Sequence, residues 1–183
     1  MSDRLTTFKS LIKTPDLPGL GPTPRNGRLP LVELNRKIER FLADAKLPAA
    51  LHAPVRSAAL FWHDYLDESH AISQEIHTAD GSFLHGIMHR REPDYSNAEY
   101  WFRRAGGHTC FADLARLASR RLEADGEMEL AAKLAPRGAW DPFAFVDACA
   151  QTTSLPSLRP VIPTLEAVQE IEFDCLMRHL LAT

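Results

Sequence analysis

No run of 18 consecutive apolar residues occurs anywhere in this 183-residue chain. That excludes a membrane-spanning helix of ordinary length. The opening stretch M-S-D-R-L-T-T-F-K-S-L-I-K lacks the apolar segment of a secretory leader, so the expected location is cytoplasmic. Cysteine is scarce. Cys110, Cys149 and Cys175 form an odd, widely spaced set without a C-x-x-C pair, and they read as reduced thiols filling a core. An excess of one charge is missing too: the net charge is -3, which argues against nucleic acid or an anionic membrane as partner. No segment carries a convincing strand pattern.

What the chain does have is helical periodicity. Residues 5–13 suit a short amphipathic helix, after which Pro15, Pro18, Gly19, Gly21, Pro22 and Pro24 forbid regular structure. Residues 1–29 therefore read as an N-terminal arm, extended and loose over 14–29. Pro30 opens a helix striped by Leu31, Leu34, Ile38, Phe41 and Leu42, which Pro48 ends. The next helix is expected from Ala53-Pro54, with Val55, Ala58, Ala59, Phe61, Trp62, Tyr65 and Leu66 spread around most of its circumference. Such a helix belongs at the centre of a fold.

The triplet Asp67-x-Ser69-x-Ala71 recurs as Asp94-x-Ser96-x-Ala98. With Ser69 and Ser96 as helix caps and Glu99 completing a capping box, two helical hairpins follow, roughly 54–77 and 82–105. Asp80-Gly81-Ser82 would form the turn and cap between them. Gly106-Gly107 is a helix stop, Thr109 a cap, Asp125-Gly126 a break and Asp141-Pro142 a new start, with a last helix from about Thr164. The expected fold is all-α, a single domain over 30–183 built as a helical array around core hairpins at 54–106.

Five of the eight histidines (His63, His70, His77, His85, His89) fall within 27 residues, followed by the pairs Arg90-Arg91 and Arg103-Arg104. His63, Asp67 and His70 are spaced i, i+4, i+7, and His85, His89 and Glu92 repeat that spacing. On two facing helices these trios would offer four imidazoles and two carboxylates, a donor set suited to Zn(II), Fe(II) or Mn(II). His63, Asp67, His70, His85 and His89 are thus candidate metal ligands, although no H-E-x-x-H is present. A helix break at Asp67 would turn His70 away from the face of His63.

Without a metal, His85, His89 and Glu92 are candidate acid–base groups. His70, Arg90, Arg91, Asn97 and Arg103 are then candidate ligand-binding residues for a small anion. The plainer reading pairs the arginines with Glu92, Asp94 and Glu99 and uses Asn97 to tie a turn. Neighbouring arginines on a helix point about 100° apart, so at most one of each pair can face a given pocket. Tyr100, Trp101 and Phe102 read as packing residues, and His52 and His179 as incidental. His108 caps a hairpin or lines the pocket, and Cys110, with no other activating neighbour, is not read as a nucleophile.

The segment Trp62–Gly107 resembles an uncharacterised family of small helical bacterial and fungal proteins. The resemblance rests on D-E-S-H-x-x-x-Q at Asp67–Gln74 and on H-G-I-M-H-R-R-E-P-D-x-x-N-x-x-Y-W-F-R-R-x-G at His85–Gly106. It implies a relative without implying an activity. Where similar sequences tend to show His-Pro after the glycine, this chain has His108-Thr109. The ending A-x-Y-W-F-R-R-A-G is similar to a tetratricopeptide-type repeat hairpin. Two readings follow: a polar pocket that binds, and can transform, a small anionic or metal-bound ligand, or a repeat-like module for a protein partner in which the polar cluster is structural.

Overall fold

Helical spacing of apolar residues recurs from one end of the chain to the other, and the computed structural model, which describes residues 3–182, is an all-α single domain. Its ten α-helices are α1 (Asp3–Ile12), α2 (Leu31–Asp44), α3 (Ala49–Trp62), α4 (Leu66–Ser73), α5 (Ala79–Arg91), α6 (Tyr95–Ala105), α7 (Phe111–Ala124), α8 (Met128–Leu134), α9 (Pro142–Ser154) and α10 (Ile162–Leu181). No strand occurs among the described residues. The expected hairpins are present as α3–α4 and α5–α6, and the second is the more tightly joined.

Two elements form the centre. In α3, every residue from Pro54 to Trp62 except Arg56 is buried, as the spread of its apolar positions requires. In α5, every residue from Gly81 to Arg91 is buried. That segment contains His85, His89, Arg90 and Arg91, so each of these polar groups needs an internal partner or costs folding energy. Gly86 lets α6 approach: a Cβ there would meet the Phe102 ring at 3.1 Å. Phe102 itself is buried and lies against Phe83, with ring centroids 5.8 Å apart.

The N-terminal arm is packed rather than loose. Leu5, Phe8 and Ile12 of α1 share one face and are buried, and Phe8 lies 5.5 Å from the Phe41 ring and 6.4 Å from Phe173. Arg25 fastens the irregular segment that follows. Its Nε and backbone N–H both donate to Asp64 Oδ2, at 2.8 and 2.9 Å, and its guanidinium also reaches the Trp62 and Asp16 carbonyls. Gln169 Nε2 donates to the carbonyls of Pro18 and Gly19 at 2.9 and 3.2 Å. Proline and glycine excluded a helix here, but the backbone carbonyls they left free became acceptors for buried donors.

Several expected caps are corrected. Ser69 is not a cap: it sits inside α4, buried, and exchanges hydrogen bonds with Ser57 of α3. The break falls earlier, at His63–Tyr65, where Asp64 takes a left-handed φ of 59°, a conformation aspartate tolerates better than most residues. Ser96 lies within α6, and Glu99 pairs with Arg103 instead of closing a capping box. Thr78, not Asp80 or Ser82, caps α5 by accepting from the Gly81 N–H at 3.1 Å. Pro54 lies inside α3 rather than at its start, and α10 begins at Ile162. Asp141 does cap α9, accepting from the N–H groups of Phe143 and Ala144.

Candidate metal centre

The α4–α5 pairing brings His70 against His85 and His89, which lie one turn apart on α5. One nitrogen from each of the three rings lies within 4.8 Å of the other two. His70 Nε2 and His85 Nε2 are 3.2 Å apart. Two nitrogens sharing one tetrahedral ion at about 2.0–2.1 Å would stand about 3.3–3.4 Å apart, so this pair already has nearly that spacing. His85 also stacks on Trp101 of α6, at 4.0 Å and 10° between planes, which fixes its ring orientation.

Glu92, at the end of α5, lies beside the other two rings and within hydrogen-bond distance of His89 alone. Its carboxylate lies 3.1 Å from His89 Nδ1 and 3.6 Å from His70 Nδ1. A carboxylate on one edge of an imidazole selects the tautomer whose lone pair points off the other edge. Asn97 of α6 meets that other nitrogen of His89, Nε2, at 3.1 Å. Asp94 stands 3.7 Å from His89 Nδ1.

Two of these rings, His85 and His89, are held toward the neutral form. Burial pushes His85 down to about 4, and the neighbouring His89 and His70 push in the same direction, while the Ser73 backbone weakly opposes them. His89 is also lowered, by burial first, against the raising effect of Glu92. A neutral imidazole is the form that ligates metals.

The carboxylate neighbour of the cluster, Glu92, borders a cleft on the side of the arm. An open cleft of about 410 Å³ is lined by Pro22, Pro24, Arg28, Tyr65, Asp67, Glu68 and Glu92, with Asp64 and Leu66. It touches the histidine cluster at Glu92, and the His70 side chain is itself 33% exposed.

Other expected site residues lie elsewhere. His63 ends α3, and its Nδ1 accepts from the Leu29 N–H at 3.2 Å, so it does not join the cluster. Asp67 is exposed on α4 and lines the cleft without approaching the three imidazoles. His63 was placed with His70 on the assumption of a continuous helix, which the turn at Asp64 breaks, whereas Asp67 shares α4 with His70 but faces outward.

Arg90 and Arg91 diverge, as adjacent helical positions must, and neither lines the cleft. Arg90 donates to Glu172 of α10 at 3.0 and 2.5 Å and lies 4.1 Å over the Phe145 ring, with both partners of the ion pair at 0% exposure. Arg91 donates to Asp64 Oδ1 at 2.8 Å and to the Phe61 and Gly21 carbonyls. The partners are Glu172 and Asp64, not the Glu92 and Asp94 expected from proximity in sequence. Arg103 is exposed and bonds to Glu99 one turn away.

Sequence reasoning gave Trp101 only a packing role, without its partner His85, and passed over Asp64 and Glu172. Trp101 follows Asn97 by one helical turn, and that spacing was the available signal. Asp64 and Glu172 carried none. No protein-family profile matches the chain, and no curated protein or solved structure matches it significantly.

Proposed function

We propose that the protein binds one divalent transition-metal ion through His70, His85 and His89 and presents it to a small ligand entering by the cleft beside Glu92. The observation that carries this reading is the convergence of three imidazoles, two of them flanked by one carboxylate, around a spacing suited to a shared ion. Zn(II), Fe(II) and Mn(II) all accept such ligands. Three protein ligands leave a further position for water or an anionic group, and an ion there would polarise that group or lower the pKa of bound water. His70, His85 and His89 thus act as ligands with Glu92 beside two of them, and the Asn97 amide, 3.1 Å from His89 Nε2, must turn aside for that nitrogen to ligate.

A second reading, a helical interaction module whose polar run is structural, draws support from Arg90 and Arg91, both spent on internal ion pairs. The two separate on composition. Elemental analysis of the purified protein should find at least one equivalent of Zn, Fe or Mn, with about one equivalent lost on His85→Ala. Protein free of metal, with a thermal midpoint indifferent to chelators and added ions, favours the module instead.

A further inference from the structure

A second group of titratable side chains meets where three segments converge away from the first. Asp80 stands in the first turn of α5, His108 in the connection between α6 and α7, and His179 in the last turn of α10. His108 Nε2 and His179 Nε2 approach the same oxygen, Asp80 Oδ1, at 2.9 and 3.2 Å. One donor atom from each residue lies within 4.8 Å of the others. The far edges of both rings are also engaged. Thr109 Oγ1 meets His179 Nδ1 at 3.2 Å, and Cys110 meets His108 Nδ1 with its Sγ at 3.1 Å and its N–H at 3.3 Å. His108 is buried between Phe83 and Phe111, at ring distances of 5.0 and 5.8 Å. Asp80 and His179 remain reachable, their side chains 25% and 41% exposed.

We propose that Asp80, His108 and His179 form a second site for a divalent transition-metal ion, one that ties the end of α10 to the start of α5. Two imidazoles and a carboxylate are a donor set that Zn(II) and its first-row neighbours accept. Donors around one ion at about 2.0–2.2 Å stand roughly 2.8–3.5 Å apart in tetrahedral or octahedral arrangements, and both contacts to Asp80 fall in that range. The exposed side of the site leaves the remaining positions to water.

The proton placement follows from the contacts. As hydrogen-bonded, each ring turns an Nε2–H toward Asp80. Binding an ion at Nε2 moves each ring's proton to Nδ1, where Cys110 Sγ and Thr109 Oγ1 accept, so no net proton need leave. The Cys110 N–H points at His108 Nδ1 and opposes this change, which makes the second site weaker than the three-imidazole site. An ion held by three separated segments favours the folded chain by mass action.

The test is zinc titration in competition with a chromophoric chelator, run on His70→Ala, where the first site lacks a partly exposed ligand. The same titration is run after adding Asp80→Asn and His179→Ala. The His70→Ala chain should keep a zinc equivalent that raises its thermal midpoint, and the triple variant should bind at least tenfold more weakly. Equal zinc affinity in the two chains would overturn the second site and leave the first untouched. Far-UV circular dichroism checks folding, and if the triple variant unfolds, His179→Ala in the His70→Ala chain makes the comparison at a surface position.

Discussion

Glu92 and His89 are joined edge to edge at the end of α5, with carboxylate Oε2 3.1 Å from ring Nδ1. The second carboxylate oxygen faces His70 Nδ1 at 3.6 Å. One acidic residue thereby holds the edge of His89 and places its charge beside His70, candidate ligands from two helices. Glu92→Gln keeps the shape but removes the charge that selects the tautomer. Zinc affinity, measured by chelator competition, is expected to fall about 10–100-fold, with helix content unchanged. Unaltered affinity would mean that Glu92 does not orient the ligands.

The buried Arg90–Glu172 pair joins the central helix to α10. Glu172→Ala leaves a guanidinium with no counter-charge in the core and should cost about 3–5 kcal/mol in urea unfolding. Replacing both partners, Arg90→Met with Glu172→Leu, should lose much less, because no unpaired charge stays behind. A loss below about 1 kcal/mol for Glu172→Ala alone would show that the pair is not what holds α10 in place.

Two buried histidines give the metal-free protein a defined pH response. His63 is lowered to about 4, by burial first and then by the charge of Arg25, and His85 likewise to about 4. Unfolded, both rings take up a proton near pH 6.5. Between about pH 6.5 and 4 the unfolded chain therefore binds more protons, so stability is full above that window and falls as pH drops through it. Each ring contributes at most about 3 kcal/mol. Glu166 and Glu170, whose carboxyls burial pushes up, gain stability on acidification and soften the fall. Urea unfolding in the presence of chelator at pH 7 and pH 5 should show lower stability at pH 5, with a smaller difference for His63→Asn. Equal stability at the two pH values would contradict the burial of neutral rings.

Short-range spacing carried the elements well and the partners badly. The stripe of α2 and the Asp141-Pro142 start of α9 were legible because each depends on residues within a turn or two. The turn at Asp64 was not, because it rests on Arg25 and Arg91, from distant parts of the chain. That turn decided the site. It removed His63 from the group and left His70 to meet α5 through the hairpin.

His85, His89 and Glu92 were legible as a trio because they lie on one face of one helix. Arg90 looked like a ligand-gripping group because its partner Glu172 is 82 residues away. His179 looked incidental for the same reason: Asp80 reaches it only once α10 has docked.

The account stands on three imidazoles sharing one ion. X-ray absorption at the zinc edge, on Asp80→Asn protein loaded with one equivalent of Zn(II), reads that shell directly. It should show at least three imidazole nitrogens at about 2.0–2.1 Å, and His89→Ala should lose one of them. A shell with fewer than three imidazoles, or one unchanged by His89→Ala, would contradict it.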